Sequence, residues 1–229
     1  MIIFCSDVHL HLHPDETPNF PKFLTQLPKT TRALFILGDL FEVWWGDDHH
    51  YTPYLAWEKI FSDLRIPIYF IAGNRDFLCG KDFFEKTGII PLKSGCEIMF
   101  ASKKINIYHG DEPFILQDKP YQAIRPWLRS PLLQSLFLML PEQWRRKFSV
   151  KARLHSQPSA CVKTRYDTSV AFNMPASIVI HGHLHFAKET HLADHSFYQL
   201  GCWDNQESSW LALSEEGVFE WHSFLTKSS

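Results

Sequence analysis

The length, composition and charge of the chain exclude several classes of protein before any motif is considered. The 229 residues are 45% hydrophobic and include 23 Lys plus Arg against 25 Asp plus Glu, a formal net charge of -2. This composition predicts one folded domain over residues 1–229 rather than a disordered chain, and it lacks the basic excess that is typical of a nucleic-acid binder.

The cysteines and the first residues of the sequence indicate the cellular compartment of the protein. The five cysteines are odd in number and form no CxxC pair, which indicates neither a disulfide framework nor a thiolate zinc site: Cys5, Cys79, Cys96, Cys161 and Cys202. The opening MIIFCSDVHL lacks the pattern of a signal peptide, and no apolar run reaches the roughly 18 residues that a spanning helix needs. We therefore expect a protein of the reducing cytoplasm.

Short apolar runs bounded by turn residues recur along the first half of the chain and are typical of buried strands. Strands are predicted at residues 2–5, 33–37, 66–72, 96–100 and 105–108, with helices at 20–27 and 54–64. Farther along, strands are predicted at 177–180, 196–200, 209–213 and 218–221. The β-α-β-α-β opening predicts an α/β (α+β) fold in which helices cover a sheet.

The character of the chain changes at residues 120–168, which we interpret as a helical segment inserted into the sheet domain. Large apolar residues recur there at helical spacing: Leu128, Leu132, Leu133, Leu136, Phe137 and Leu140. Pro141 is expected to end that helix, and a second, basic helix is predicted from Glu142. Residues 121–166 contain nine Lys plus Arg and one acidic residue, a local charge of +8, whereas the remainder has 14 basic and 24 acidic residues.

Polar clusters follow the predicted strands, at the strand ends where sheets of this class bind ligands. The clusters are D-x-H at Asp7 and His9, GD at Asp39, GN at Asn74, HGD at His109, and G-H-x-H at His183 and His185. The D-x-H and H-x-H spacings are expected to place both side chains on one face of an extended segment. Carboxylate, imidazole and amide ligands suit divalent zinc, manganese or iron. These seven candidate ligands are more than one four-coordinate ion can use, and we therefore predict two metal ions.

Charge arithmetic favours phosphate chemistry at such a site. Two divalent ions together with Asp7 and Asp39 leave a charge of about +2 to face an anion. Asp39 is the natural candidate to bridge the two ions, because a carboxylate has two oxygens. Arg75, which follows Asn74, would add a planar group of donors to a phosphate oxygen.

A single histidine in a sequence is more often an ordinary core or surface residue than a metal ligand, so each histidine must be weighed against that alternative. The five clusters, in order after predicted strands, favour the metal site over that alternative. We interpret His11 and His13 as loop residues near the site and His181 as structural. The other histidines have no ligand-like spacing: His49, His50, His155, His191, His195 and His222.

The series D-x-H, GD, GN, H and GHxH resembles the calcineurin-like metallophosphoesterases, whose fold is a β-sandwich flanked by helices and whose site holds two metals. In that superfamily the third motif is usually GNH, whereas this chain has GNRD at residues 73–76. That variant, with the strings GDLFEVWWGDD and GNRDFL, resembles the family of UDP-2,3-diacylglucosamine hydrolases, the pyrophosphatases of lipid A biosynthesis. The similarity extends over nearly the whole chain, including an inserted helical lid at residues 120–168.

The resemblance implies which residues hold metal. The first ion would be held by Asp7, His9, Asp39 and His185, and the second by Asp39, Asn74, His109 and His183. Manganese is the ion that the family prefers. The residues implied in catalysis are Asp39, Asn74, Arg75, His109 and His183.

The resemblance also implies substrate contacts, at Asn74, Arg75, Asp118, Tyr121, Ser156, Lys163 and His183. Asp118 and Tyr121 match the family's D-x-x-Y. Ser156 and Lys163 match its S-x-x-x-N-x-x-K, but Ala160 stands where the asparagine is expected. The last motif also differs from the family, because residues 182–187 read GHLHFA where the family usually has GHTHRP. Both differences fall on the lid side and affect the expected substrate contacts.

The implied activity is hydrolysis of the diphosphate of UDP-2,3-diacylglucosamine to UMP and 2,3-diacylglucosamine 1-phosphate. The implied partner is the cytoplasmic face of the inner membrane, with peripheral attachment; neither nucleic acid nor a protein partner is expected. Two alternatives remain: a metallophosphoesterase acting on another nucleotide diphosphate or phosphodiester, and a non-catalytic protein that binds lipid or nucleotide. The apolar stripe of residues 128–140 either packs on the core or lines a groove for acyl chains and meets the membrane.

Overall fold

Two β-sheets form the centre of the computed structural model, which describes residues 1–10, 19–48, 52–112, 115–116, 119–155, 166–167, 175–203 and 207–225. The strands are β1 Ile2–Cys5, β2 Ala33–Ile36, β3 Ile68–Ile71, β4 Ile90–Leu92, β5 Cys96–Phe100, β6 Lys103–Ile107, β7 Ile178–His181, β8 Lys188–Leu192, β9 His195–Gln199, β10 Glu207–Leu213 and β11 Phe219–Leu225. The helices are α1 Asn19–Thr25, α2 Thr52–Asp63, α3 Lys81–Thr87, α4 Lys119–Leu128, α5 Pro131–Leu138 and α6 Glu142–His155.

Each sheet contains parallel strands, with antiparallel strands at one edge of the first sheet and at both edges of the second. The first sheet has the order β11-β10-β1-β2-β3-β4, in which β1 to β4 are parallel. The second has the order β5-β6-β7-β9-β8, in which β6, β7 and β9 are parallel. The carboxyl ends of the parallel strands in one sheet therefore lie at one edge of that sheet, which is where the polar loops begin.

The sheets pack face to face, and helices cover the outer face of the first sheet. One buried cluster combines Phe4 and Phe35 of the first sheet with Ile107 and Ile180 of the second. A larger cluster joins the opposite face of the first sheet to α1, α2 and α3, through residues such as Phe20, Trp57 and Phe83. The predicted β-sandwich flanked by helices is confirmed.

Four elements were not predicted, and one predicted helix is shorter than expected. Helix α3 and strands β4 and β8 are short, and β8 reads KETHL, in which charged and polar residues hide a strand pattern. The apolar helix expected over residues 128–140 is α5, which begins only at Pro131, and the unpredicted helix α4 precedes it and ends at Leu128. Proline lacks a backbone N–H, so it starts a helix readily and rarely continues one.

Helices α4 to α6 lie between β6 and β7 in the chain. An antiparallel bridge between Ile115 and Tyr166 brings together residues that flank this helical segment. Its middle helix, α5, has no buried residue. None of the helices in the described ranges combines the length and hydropathy that crossing a bilayer requires.

Candidate metal centre

The loops that follow five parallel strands meet and carry the predicted ligands. The loops after β1 and β2 are joined by backbone hydrogen bonds from Asp7 N–H to Gly38 O (3.0 Å) and from His9 N–H to Asp39 O (2.9 Å). The loops after β6 and β7 are joined by a 2.7 Å bond from the N–H of Gly182 to the carbonyl of His109. The N–H of His183 donates to Asp7 Oδ2 over 2.8 Å and joins the two pairs, and Asn74 of the loop after β3 reaches His109, so all seven predicted ligands lie in one region.

The side chains form two groups of potential ligand atoms. In the first, His185 Nε2 lies 3.4 Å from Asp7 Oδ1 and 3.1 Å from His9 Nε2. In the second, Asn74 Oδ1 lies 2.9 Å from His109 Nε2 and 3.2 Å from His183 Nδ1.

Asp7 and Asp39 lie between these groups. Potential ligand atoms of Asp7, His9 and His185 lie within 4.8 Å of one another, and so do those of Asp7, Asp39 and His109. Asp39 Oδ1 is 3.6 Å from His109 Nε2. Asp7, rather than Asp39, is the residue common to these two sets of atoms. The bridging role that the sequence assigns to Asp39 therefore stays a prediction.

The backbone of the ligands differs from the expected extended segment. Five of them have a positive φ: Asp7 at 53°, His9 at 50°, Asp39 at 51°, His183 at 73° and His185 at 63°. This left-handed conformation is uncommon for residues with a side chain and costs roughly 1–2 kcal/mol each. The expectation that D-x-H and H-x-H lie on extended strands is therefore wrong, since β1 ends at Cys5 and β7 at His181.

The glycines in GD, GN and GH are explained by close approach. A Cβ on Gly182 would collide with Ser6 and with the carboxylate of Asp7. A Cβ on Gly73 would collide with Asp39, and one on Gly38 with His109. Each motif glycine thus leaves space for a proposed ligand from another loop.

Buried charge defines the electrostatics of the site. Asp7 and His109 are fully buried. Burial favours a neutral Asp7, but the adjacent His185, with the charge of His109, holds its pKa below the usual range. Burial likewise opposes a charged His109, yet the carboxylates of Asp39, Asp111 and Asp7 raise its pKa to about 9. Burial, with the charge of Arg75, lowers the pKa of His9 well below its usual value. Protons on His109 and His185 therefore compensate the carboxylates, and a bound cation would displace them.

One orphan atom supports a cation as the missing partner. Within the described part of the chain, Asp7 Oδ1 is buried without a hydrogen-bond partner. Buried polar atoms normally have partners. The donor set of carboxylate oxygen, imidazole nitrogen and amide oxygen suits a divalent ion. The residues present therefore fit the metal site that the sequence predicts.

Asp76 of GNRD links two ligand loops. Its carboxylate accepts hydrogen bonds from the N–H of Leu40 (2.6 Å) and of Gly73 (2.7 Å). Burial, with the charge of Asp39, raises the pKa of Asp76 to about 7. The acid that ends this motif therefore holds the loops after β2 and β3 against each other.

Arg75 lies beside the proposed metal ligands, and Glu42 is a neighbour that sequence reasoning missed. Arg75 Nη1 donates to Glu42 Oε1 over 2.6 Å, and Arg75 Nε is 3.4 Å from Asp39 Oδ2. In the described ranges, this Nε is buried without a hydrogen-bond partner. The string GDLFEVWWGDD contains Glu42 three residues after Asp39, a position that could have identified it.

A cavity of about 460 Å³ joins this site to the helical segment. Its polar end is lined by Glu42, Asn74, Arg75 and Tyr121. Its walls are largely apolar and include Trp127, Leu128, Leu133, Phe137 and Phe148 from α4, α5 and α6. The hydroxyl of Tyr121 is buried and has no hydrogen-bond partner among the described residues. The cavity can thus accept a ligand with one polar and one apolar end.

Arg125 of α4 and Arg129, the residue directly after α4, also contact the ligand loops, and sequence reasoning missed both. Arg125 pairs with both oxygens of Asp111 in the HGD motif, at 2.9 and 3.2 Å. Arg129 Nη2 donates to the carbonyls of Ala72 (3.1 Å) and Gly73 (2.9 Å) and lies 3.2 Å from Asp111 Oδ2. The helical spacing of Tyr121, Arg125 and Arg129 could have indicated this polar face.

Several predicted positions lie outside the described residues: Asp118, Ser156, Ala160 and Lys163, together with His11, His13, His49, His50 and Cys161. The substrate contacts expected at Asp118, Ser156 and Lys163 therefore stay predictions. His181 is described, and it is buried with its Nε2 2.9 Å from the hydroxyl of Tyr166. This agrees with the structural role expected for it.

Comparison with known proteins identifies the class. Residues 1–187 match the calcineurin-like phosphoesterase family. An archaeal phosphodiesterase of known structure shares the fold, with a TM-score of 0.51 over 97% of this chain and 99% of that one at 14% identity. The chain therefore belongs to the calcineurin-like phosphoesterases, a family of metal-dependent hydrolases.

Curated relatives narrow the comparison within that family. A protein of Blochmanniella pennsylvanica is 36% identical, covering 94% of this chain and 92% of its own length. Proteins of Photorhabdus laumondii and Neisseria meningitidis serogroup A are each 35% identical, covering 90% and 94% of this chain and 92% and 95% of their own lengths. All three are named UDP-2,3-diacylglucosamine hydrolase.

Proposed function

We propose that this protein hydrolyses the diphosphate of UDP-2,3-diacylglucosamine, releasing UMP and 2,3-diacylglucosamine 1-phosphate. The observation that carries the proposal is the continuity between the buried ligand cluster and a cavity with apolar walls. A diphosphate would bind at the polar end, while acyl chains would occupy the apolar part beside α4 to α6. The names of the relatives support the same substrate.

The proposed metal ligands follow the two groups of side chains. Asp7, His9, Asp39 and His185 would hold one divalent ion, and Asp39, Asn74, His109 and His183 the other, with manganese as the proposed metal. Bound divalent ions supply Lewis-acid activation of water and neutralisation of phosphoryl charge. The carboxylates and imidazoles are held in place by the hydrogen bonds between their loops.

Arg75 is proposed to bind the diphosphate. Its guanidinium is largely buried, and its Nε is a donor without a hydrogen-bond partner in the described chain. A phosphate oxygen would accept from it. Diphosphate cleavage expels a phosphate, whose second pKa is about 6, so the leaving group needs no proton at neutral pH. An arginine therefore suits the position at which the superfamily motif has a histidine.

Helices α4 to α6 are proposed to form a lid that also meets the inner membrane on its cytoplasmic face. Trp127 and Leu132 are each 69% exposed, and Met139 is 80% exposed. Exposed apolar side chains next to basic ones favour binding at the surface of an anionic bilayer. This arrangement would give the lid access to a substrate that resides in the membrane.

The test is release of UMP from UDP-2,3-diacylglucosamine by purified protein with manganese. Asp39→Ala is expected to reduce turnover below roughly a thousandth of the wild-type rate, because it removes a proposed ligand from both ions. Absence of UMP from the wild type, while a known hydrolase of this substrate releases it, would reject the proposal. Full activity of Asp39→Ala would exclude the bridging role.

A second candidate is hydrolysis of another nucleotide diphosphate or a phosphodiester. Ala160 in place of the expected asparagine, and GHLHFA in place of GHTHRP, favour it. A panel of UDP-sugars with and without acyl chains separates the two, since the first proposal requires much faster cleavage of the acylated substrate. The third possibility is a protein that binds lipid or nucleotide without hydrolysing it. Metal analysis of the purified protein tests it, because a metal site that cannot be filled would favour binding without catalysis.

A further inference from the structure

Glu42 lies between the metal ligands and Arg75 and has no role in the functions proposed above. It is 5% exposed and lies in the loop after β2. Its backbone N–H donates to the carbonyl of Leu10 over 3.1 Å, while Phe41 pairs with Leu10 in a parallel bridge. The loop after β1 therefore holds the backbone of Glu42 in place.

The carboxylate of Glu42 reaches two functional side chains. Its Oε1 accepts the 2.6 Å hydrogen bond from Arg75 Nη1, and its Oε2 is 3.7 Å from His9 Nδ1. His9 presents its other nitrogen to the first ligand group, since His9 Nε2 is 3.1 Å from His185 Nε2. One carboxylate thus approaches both a proposed metal ligand and the proposed phosphate-binding arginine.

The backbone of Arg75 is anchored as well. Its N–H donates to Asp39 Oδ1 over 3.0 Å, and its carbonyl accepts from the N–H of Trp44 over 2.9 Å. With the backbone fixed, the remaining freedom of Arg75 is in its side chain, which carries about 2 kcal/mol of rotamer entropy. The bond to Glu42 removes that freedom before substrate binds and directs Nε toward Asp39.

We propose that Glu42 is a positioning residue: it fixes the guanidinium of Arg75 over the metal site and orients the imidazole of His9. The Arg75 part rests on the proposed function, whereas the His9 part concerns metal binding alone. At 3.7 Å, Glu42 acts on His9 Nδ1 through its charge rather than through a hydrogen bond. Loss of a carboxylate behind a metal-binding histidine typically weakens metal binding by about 10- to 100-fold. Glu42 would therefore act on substrate and on metal from one position.

The experiment is a double-mutant cycle with Glu42→Gln, Arg75→Ala and the double variant, measuring kcat/KM for UMP release at saturating manganese. Glu42→Gln alone is expected to lower kcat/KM about 10-fold or more. It should cause little further loss when Arg75 is already absent, because it acts through that side chain. Equal fold-losses from Glu42→Gln in both backgrounds would overturn the Arg75 part.

Glu58 provides the matched control for this cycle. It is another buried glutamate, but it lies on α2, 3.8 Å from Lys86 and outside the ligand loops. Glu58→Gln should therefore change kcat/KM by the same small factor with and without Arg75. If Glu42→Gln fails to fold by thermal unfolding, Glu42→Asp enters the same cycle, because it keeps the charge and shortens the reach by one methylene.

Manganese titration followed by electron paramagnetic resonance tests the His9 part without substrate. Glu42→Gln should weaken manganese binding by about 10-fold or more, whereas the control Glu58→Gln should leave it unchanged. Unchanged binding in Glu42→Gln would overturn the His9 part. If the wild type releases no UMP, the proposed function is wrong. The manganese titration still tests whether Glu42 orients His9, because it needs no substrate.

Discussion

At the scale of single residues, the metal centre depends on backbone conformations that most side chains avoid. Asp7, His9, Asp39, His183 and His185 all have positive φ. Such conformations persist when the surroundings hold them, and here the hydrogen bonds between ligand loops do so. Short Gly-containing turns, rather than strand spacing, therefore direct the ligands toward one point.

Gly182→Ala tests this dependence on close packing. The added methyl would collide with Ser6 and Asp7, so we expect at least a 10-fold loss of manganese binding and about 1–3 kcal/mol lower free energy of unfolding. Manganese titration and urea unfolding measure the two effects.

Gly88→Ala is the control for Gly182→Ala, because the φ of Gly88 is 71° and an added Cβ would meet nothing within 4 Å. It should cost about 1 kcal/mol of stability and leave manganese binding unchanged. Normal manganese binding by Gly182→Ala would contradict the steric explanation.

At the scale of elements, arginines fasten the helical segment to the catalytic body at two places. At the C-terminal end of α4, Arg129 follows the last helical residue and bonds to the carbonyls before Asn74 and to Asp111 after His109. Helix α6 contributes Arg145, which is 1% exposed, donates to Trp45 O over 2.7 Å and forms an ion pair with Asp48. Helix α5 lies between these attachments without a buried residue.

Replacement of Arg129 by methionine should loosen α4 from the metal site. It removes the hydrogen bonds to Ala72 and Gly73 and one of the partners of the buried Asp111, so we expect the free energy of unfolding to fall by about 2–4 kcal/mol. Urea unfolding provides the measurement. Lys147→Met removes the same charge from an exposed position of α6 and should change stability by less than about 0.5 kcal/mol. Equal stability of the two variants would mean that Arg129 does not fasten the helix.

At the scale of the whole molecule, charge and exposed apolar surface are concentrated in the same segment. Residues 121–166 have nine basic residues against one acidic residue, while the rest of the chain has 14 against 24. The exposed side chains of Leu132, Leu136 and Met139 belong to this segment. The proposed acidic body would therefore face the cytoplasm while the basic, apolar segment faces anionic lipid.

The double variant Leu136→Glu, Met139→Glu should reduce binding to vesicles that contain anionic lipid. These side chains are 53% and 80% exposed, so the change removes apolar contact and adds negative charge without disturbing the core. Vesicle flotation should show at least a 10-fold loss, and added salt should weaken wild-type binding. Met99→Glu is the control, because Met99 is 59% exposed on β5, outside the helical segment. Equal retention of all three proteins on vesicles would exclude the proposed membrane surface.

The sequence by itself determined the class of fold and the set of candidate ligands. Hydrophobic runs mark most strands, because burial of a strand requires consecutive apolar residues. The polar residues that follow those runs identify Asp7, His9, Asp39, Asn74, His109, His183 and His185, because the ends of parallel strands lie together. Metal chemistry restricts residue types strongly enough for such a pattern to be recognised from the chain alone.

Only the tertiary structure decided how those ligands are held and what surrounds them. The left-handed turns, the pairing of Glu42 with Arg75 and the attachment of Arg129 to two ligand loops join residues that are far apart in the chain. Local pattern could mark the positions of Glu42 and Arg129 but not their partners, because Glu and Arg are common on solvated surfaces and reveal a buried partner only when the chain is folded. The break between α4 and α5 and the cavity beside them were also decided by packing, which periodicity alone does not determine.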